Sequence, residues 1–242
     1  MAAKRAADQE ADKEADKEAD NEAGIDKLRD RLLLASLAHV PFDGWSDAAI
    51  RAGAADAGLT PGEALNAFPG GPVEALALFS DWADREMLAR LEALDLDSLK
   101  VREKVAAGVR LRLEALVPHK EAVRRGLAVL ALPPNAGRAL KSLHRTVDAI
   151  WTMAGDRATD YNYYTKRLLL AGVLSSTTLF WLNDRSEDHA ASWAFLERRI
   201  DEVLKIGGSL GKSVKSLLDL PDRLMAGRGP RGFGGFGGFA RR

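Results

Sequence analysis

Few side chains in this sequence are suited to covalent chemistry. There is no cysteine, which excludes thiolate nucleophiles, thiolate metal sites and disulfides. The four histidines, His39, His119, His144 and His189, stand far apart. None has a glutamate three residues before it, so the Glu-x-x-His ligand pair of di-iron bundles is missing. No His-Glu-x-x-His zinc motif occurs either. The run Gly208-Ser209-Leu210-Gly211-Lys212-Ser213 resembles the end of a phosphate-binding loop. It has Ile206 where that motif needs its first glycine, and no strand pattern precedes it. No catalytic residue, metal site or cofactor is therefore assigned, and the chain reads as a non-enzyme.

The densest group of aromatic and polar residues opens the stretch Gly155 to Asn183, GDRATDYNYYTKRLLLAGVLSSTTLFWLN. A polar turn (155–160) leads to Tyr163 and Tyr164, then to Lys166 and Arg167. Aromatics and arginine are enriched at binding hot spots, which makes this a candidate docking patch. The local alternative stays open: Asp160 or Asn162 caps a helix and the tyrosines pack on neighbours. Fifteen uncharged residues follow, Leu168 to Leu182. They predict a helix apolar almost all round, central to a helical protein and packed on several sides. The run is shorter than the roughly 18 apolar residues that suggest a membrane span. Ser175, Ser176, Thr177 and Thr178 can bond the carbonyls of the preceding turn and leave room beside the helix. A lipid-like ligand can lie in such room.

The elements that must position this stretch follow from helical periodicity. Leu28, Leu32, Ala35 and Leu37 predict a helix over 25–39, ended by Pro41 and Gly44. Ser46 opens the next and Gly58 closes it. Thr60-Pro61 opens a third that ends at Phe68-Pro69-Gly70. Longer helices are expected at 73–94, 98–116, 120–131 and 135–154, with Val101, Val105, Val109 and Leu113 forming an inner stripe. A last one at 189–205 takes Ser186 or Asp188 as its cap. With no strand-period segment, the fold class is all-α, a bundle of about nine helices.

At 242 residues and 46% apolar composition the chain has ample material for a core. Its formal charge is zero, but the two ends differ in sign. Residues 1–23 repeat Glu-Ala-Asp-Lys and carry a net −4; residues 208–242 carry a net +5. The acid-rich start lacks a secretory or mitochondrial targeting pattern, which points to a bacterial cytoplasm, with peripheral attachment to the inner face of the membrane. Residues 209–226 place Leu210, Val214, Leu217, Leu218 and Leu224 on one side and Lys212 and Lys215 on the other, the pattern of an interfacial membrane helix. Docking on the chain's own body or on a second subunit is the alternative. The expected division is 1–23 acidic tail, 24–71 helix-turn-helix-like module, 72–206 helical lipid-binding and dimerisation domain, 209–226 membrane-associating helix and 227–242 Gly/Phe/Arg tail, with both tails disordered.

Ile50, Ala54, Ala57-Gly58-Leu59-Thr60 and Phe68 resemble the N-terminal module of TetR-family repressors. DNA affinity rests on phosphate contacts, yet no Lys or Arg lies between Thr60 and Pro72. Leu65, Ala67 and Gly71-Pro72 stand where such repressors carry Tyr, His and Lys. The module reads as a relict used for packing, and no DNA partner is expected.

A more specific likeness runs from Trp151 through Ala154-Gly155-Asp156 and Thr159-Asp160-Tyr161-Asn162-Tyr163-Tyr164-Thr165-Lys166-Arg167 to Trp193, Phe195-Leu196 and Arg198-Arg199. These residues resemble the accessory lipid-binding family of coenzyme Q (ubiquinone) biosynthesis. The resemblance implies a TetR-like bundle, usually a homodimer. Its pocket holds an isoprenoid quinone or precursor lipid, a C-terminal helix touches a membrane surface, and the lipid passes to the demethoxyubiquinone hydroxylase. It implies a docking patch of Ile150, Tyr163, Tyr164 and Arg167, although Tyr163 stands where many relatives have Trp. Trp151, Leu168, Gly172, Ser175, Ser176 and Leu179 are the expected pocket residues. The competing reading is a TetR-type ligand-sensing transcriptional regulator.

Overall fold

Thr60 shows how directly this sequence writes its helix ends. Its hydroxyl accepts from the Glu63 backbone N–H at 3.2 Å, and the Glu63 carboxylate accepts from the Thr60 N–H at 2.7 Å. This is a reciprocal capping box, which satisfies donors a helix start otherwise leaves open. The backbone hydrogen bond from Thr60, and then its hydroxyl, hold the Glu63 carboxyl below its ordinary pKa. Glu63 is thus a structural cap.

A computed structural model of the chain describes residues 24–156 and 161–203. These residues are helical and contain no strand, so the fold is all-α. The chain divides after Ile200 into two units. Of the second, only the helical residues 201–203 are described.

The first four helices form a small module: α1 (24–36), α2 (Val40–Asp43), α3 (Asp47–Asp56) and α4 (Pro61–Ala67). The helix expected over 25–39 stops at 36, and Pro41 starts the one-turn α2 rather than only ending α1. Leu32, Leu33 and Ile50 are buried inside the module. Gly53 permits α3 to lie directly on α1, because a Cβ there would stand 2.5 Å from the Ser36 backbone nitrogen. Trp45 Nε1 donates to the Ala122 carbonyl at 2.9 Å, and Arg125 donates to the Pro41 carbonyl at 2.6 Å. Together they tie the module to the helices that follow.

Those helices are α5 (Pro72–Glu92), α6 (Val101–Ala115), α7 (Lys120–Leu130), α8 (Ala136–Met153), α9 (Tyr161–Asn183) and α10 (190–203). The core joins Phe79, Ala83, Met87 and Leu91 of α5 to Val105, Val109 and Leu113 of α6 and to Val147 and Ile150 of α8. Val101 begins the same stripe in the sequence but is exposed at the start of α6.

The expectation of a central α9 does not hold. One face buries Leu170, Val173, Leu174, Thr177, Thr178 and Trp181; the other exposes Tyr164, Leu168, Gly172, Ser175 and Leu179. Both faces have helical spacing, and both are largely apolar or small. Hydrophobic patterning had no polar stripe with which to tell them apart, so it read one buried cylinder.

The α9–α10 turn is built around Asp184. Burial raises its pKa, but hydrogen bonds from the side chains and backbone of Ser192 and Ser186 outweigh that and hold the carboxyl well below its usual range. Ser186 also accepts from the Ala191 N–H at 3.0 Å, the capping role expected of it. Asp188 instead adopts a positive φ and gives its carbonyl to Trp193 Nε1 at 2.8 Å.

At the α6–α7 turn, His119 stands edge-on to Phe79 and Trp82, with ring centroids 6.0 and 5.7 Å away. Burial lowers its pKa below 6.5. The unfolded chain therefore takes up a proton first as pH falls through about 6.5, while the folded chain resists it. Stability is expected to be full above that pH and to decline below it. Chemical denaturation at pH 7.5 and 5.5 should show the decline, and His119→Phe should diminish it.

Candidate ligand cavity

Four helices present i, i+3, i+4 stripes to one another without filling the space between them. Leu76, Phe79 and Ser80 come from α5, Val123, Leu127 and Leu130 from α7, Ala139, Leu140 and Leu143 from α8, and Leu174, Ser175, Thr178 and Leu179 from α9. Arg112 of α6 and Leu116 just after it complete the wall. The cavity volume is about 640 Å³, within the range of small-molecule sites. Close packing is the rule in protein interiors, so an apolar space of this size where five helices meet is a candidate ligand site.

The wall is apolar except for one connected group and two hydroxyls of α9, Ser175 and Thr178. Arg112 Nη2 donates to Ser80 Oγ at 3.0 Å, and the Ser80 and Ser142 hydroxyls share a bond of 2.8 Å. Behind them Asp84 is buried. It accepts from Arg112 Nε at 2.7 Å, from Arg145 Nε at 3.1 Å and from Thr146 Oγ1 at 2.8 Å. On α9, by contrast, Thr178 returns its hydroxyl to the Leu174 carbonyl at 2.7 Å, which removes a donor from the cavity.

Of the pocket residues expected from sequence, Ser175 and Leu179 line this cavity. Trp151, Leu168, Gly172 and Ser176 do not. Trp151 Nε1 donates to the Lys166 carbonyl at 3.2 Å, Leu168 and Gly172 lie on the outer face of α9, and Ser176 bonds the Gly172 carbonyl. The six were taken from α9 and the end of α8, but the space lies against α5 and α7. The stripe Val123, Leu127 and Leu130 of α7 was visible in the sequence as helical spacing. That it faces a void rather than a neighbour was not.

The expected docking residues also separate. Ile150 is buried beside Gly108, where a Cβ would meet the Ile150 side chain at 3.0 Å. Arg167 is buried as well: Nε donates to Asp148 at 2.7 Å, Nη1 to Asp156 at 3.2 Å, and the guanidinium lies 3.4 Å from the Tyr163 ring centroid. Lys166 joins Asp156 at 2.6 Å. Tyr163 is half-buried and packs edge-on against Tyr164; only Tyr164, 71% exposed, is well presented to solvent. Charged and aromatic residue types in one run do not reveal which of them are spent on one another.

The membrane-helix residues Leu210, Lys212, Val214, Lys215, Leu217, Leu218 and Leu224 lie outside the described residues. The letters Gly-x-Ser-x-Gly occur at Gly207 to Gly211, also outside them. The described chain before that run is helix to 203 rather than the strand a nucleophile elbow requires. Among the described residues no helix is long and apolar enough to cross a membrane, and no cluster of three or more acids or histidines is set to hold a metal ion.

Comparison with known proteins adds to this picture. A family model, COQ9, matches residues 136–207. The chain is 33% identical over 186 residues to the mitochondrial ubiquinone biosynthesis protein COQ9 of Drosophila melanogaster, a match covering 75% of this chain and 57% of that one. With the human mitochondrial COQ9 protein it shares 34% over 197 residues, covering 79% and 62%. It thus spans less than two thirds of the length of either relative. Among solved structures, a TetR transcriptional regulator from Nitrosomonas europaea superposes with a TM-score of 0.61 at 21% identity, covering 74% of this chain and 98% of that one. That likeness establishes a TetR-like fold.

The relatives are named as mitochondrial, which overturns the expectation of a bacterial cytoplasmic protein at the inner face of a bacterial membrane. That expectation leaned on the acidity of residues 1–23 and on overall composition, and neither fixes a compartment. In its α8–α10 segment this chain carries the COQ9 domain, and across about three quarters of its length it is a COQ9 relative built on a TetR-like fold.

Proposed function

We propose that this chain serves ubiquinone biosynthesis as a lipid-binding accessory protein rather than as an enzyme. It holds an isoprenoid quinone or precursor in the cavity between α5, α7, α8 and α9 and presents it to a demethoxyubiquinone hydroxylase. The observation that carries this reading is the apolar cavity of about 640 Å³, which three exposed leucines also line. The names of its relatives support the pathway. Residues 209–226 are proposed as the contact with the lipid surface that supplies the ligand. The exposed outer face of α9 at Leu168 and Gly172, away from the cavity, is proposed to seat a second subunit.

The regulator alternative has little to work with. Leu65 is 70% exposed on α4, and neither Lys nor Arg occurs in that helix, so its surface offers no cation to phosphates.

Mass spectrometry of the organic extract of purified full-length protein tests the proposal. A polyprenyl quinone or precursor near one per chain or per dimer is the expected result. No lipid in the extract, and no uptake from quinone-loaded vesicles, would overturn it. Within the docking patch, Tyr164→Ala is expected to weaken hydroxylase binding at least fivefold, about 1 kcal/mol, with an unchanged melting temperature. Unchanged affinity would move the interface elsewhere.

A further inference from the structure

The polar group on the cavity wall is placed for a particular kind of ligand atom. Ser80 and Ser142 together carry two hydroxyl hydrogens. One serves the bond of 2.8 Å between them. Arg112 supplies a further donor to Ser80 Oγ at 3.0 Å, so that oxygen is already an acceptor. Among the described residues no protein hydrogen bond uses the second hydroxyl hydrogen, whichever of the two serines holds it. Both serines line the cavity. The site therefore has a donor to spare and is backed by a guanidinium, whose charge Asp84 neutralises at 2.7 Å. This wall matches an uncharged oxygen acceptor; a hydrocarbon would leave the donor unmet.

The opposite requirement is met elsewhere in the same cavity. Leu127, Leu140 and Leu179 line it and are also 36%, 68% and 59% exposed. Thr146 and Asp84, behind the serines, are almost wholly buried. The cavity thus has a polar end backed by buried groups and a mouth lined largely by leucines.

We infer that Ser80 and Ser142 form a head-group subsite that donates a hydrogen bond to a ring carbonyl or methoxy oxygen, while the prenyl tail leaves between Leu127, Leu140 and Leu179. This assignment rests on the lipid-binding reading above and adds to it the orientation of the ligand and the atoms that select it. A quinone ring provides such acceptors without a charge, and its tail can be of any length once it passes the mouth.

The test compares two probes on the full chain: a ubiquinone with a two-isoprene tail, and a ring-free isoprenoid hydrocarbon of matched length. Each is titrated into wild type, the Ser80→Ala/Ser142→Ala double variant, and Ser98→Ala as a control whose hydroxyl lies off the cavity and bonds the Asp95 carbonyl at 2.8 Å. The double variant is expected to bind the quinone about fivefold to tenfold more weakly, the loss of roughly one hydrogen bond. It should bind the hydrocarbon within about twofold of wild type, and Ser98→Ala should leave the ratio of the two affinities unchanged. An unchanged ratio in the double variant, or an equal loss of both probes, overturns the subsite and leaves the carrier reading intact. Failure of wild type to bind either probe overturns the carrier reading and this inference together.

Discussion

Replacing Asp84 with alanine is expected to lower the stability of the helical unit by about 3–5 kcal/mol. Asp84 is 4% exposed and answers Arg112 at 2.7 Å, Arg145 at 3.1 Å and the Thr146 hydroxyl at 2.8 Å. Arg145 can turn to water, since its side chain is 44% exposed and also pairs with Asp81 at 3.3 Å. Arg112 has no such escape: its side chain is 11% exposed and lies on an apolar cavity wall. Without Asp84 its charge stays in a place where little else solvates it. A domain of this kind holds only some 5–15 kcal/mol in all, so the midpoint of urea denaturation should fall steeply. Asp84→Leu combined with Arg112→Met should recover most of the loss, because removing both charges removes the unmet one. If the double variant is as unstable as the single, the cost lies in packing rather than in a stranded cation.

Arg167→Ala is the second large effect, about 3 kcal/mol of lost stability. The side chain binds Asp148 at 2.7 Å and Asp156 at 3.2 Å and lies against Tyr163, so it fastens the end of α8 to the start of α9. Lys166 keeps its own pair with Asp156, which places the cost at the lower end of the range for breaking a buried ion pair. Arg167→Lys should not rescue it, because an ammonium cannot bridge two carboxylates in the geometry of a guanidinium fork while lying flat on an aromatic ring. Thermal melting decides the matter. A docking residue would lose partner affinity at an unchanged melting temperature, whereas Arg167→Ala should melt early. Tyr164→Ala is expected to do the reverse, and the pair separates fastening from docking within five residues of one helix.

Helix ends show what was readable in the sequence alone. Ser46, Thr60 and Ser186 mark helix starts through bonds that span only a few residues. Such interactions form the same way in almost any context. The α7 stripe Val123, Leu127, Leu130 and the core spacing Val105, Val109, Leu113 were likewise visible as faces. All-α class, helix order and an N-terminal module of short helices follow from these local signals, and the likeness in 151–199 located the family.

The tertiary structure alone decided what each face meets. Residues 168–182 carry no polar stripe, so nothing in their order says that Leu170 and Trp181 go inward while Leu168 and Leu179 do not. That choice is made by the packing of α8 against α9. The cavity arises because stripes on α5, α7, α8 and α9 converge without enough side-chain volume to close, a property of several helices at once. Its donors come from residues as far apart as Ser80, Arg112 and Ser142, and Arg167 finds its carboxylates 19 and 11 residues back along the chain. Local sequence set the helices because capping and periodicity act within a turn or two. The site needed the fold because partners brought together by packing leave no periodic trace in the order of residues.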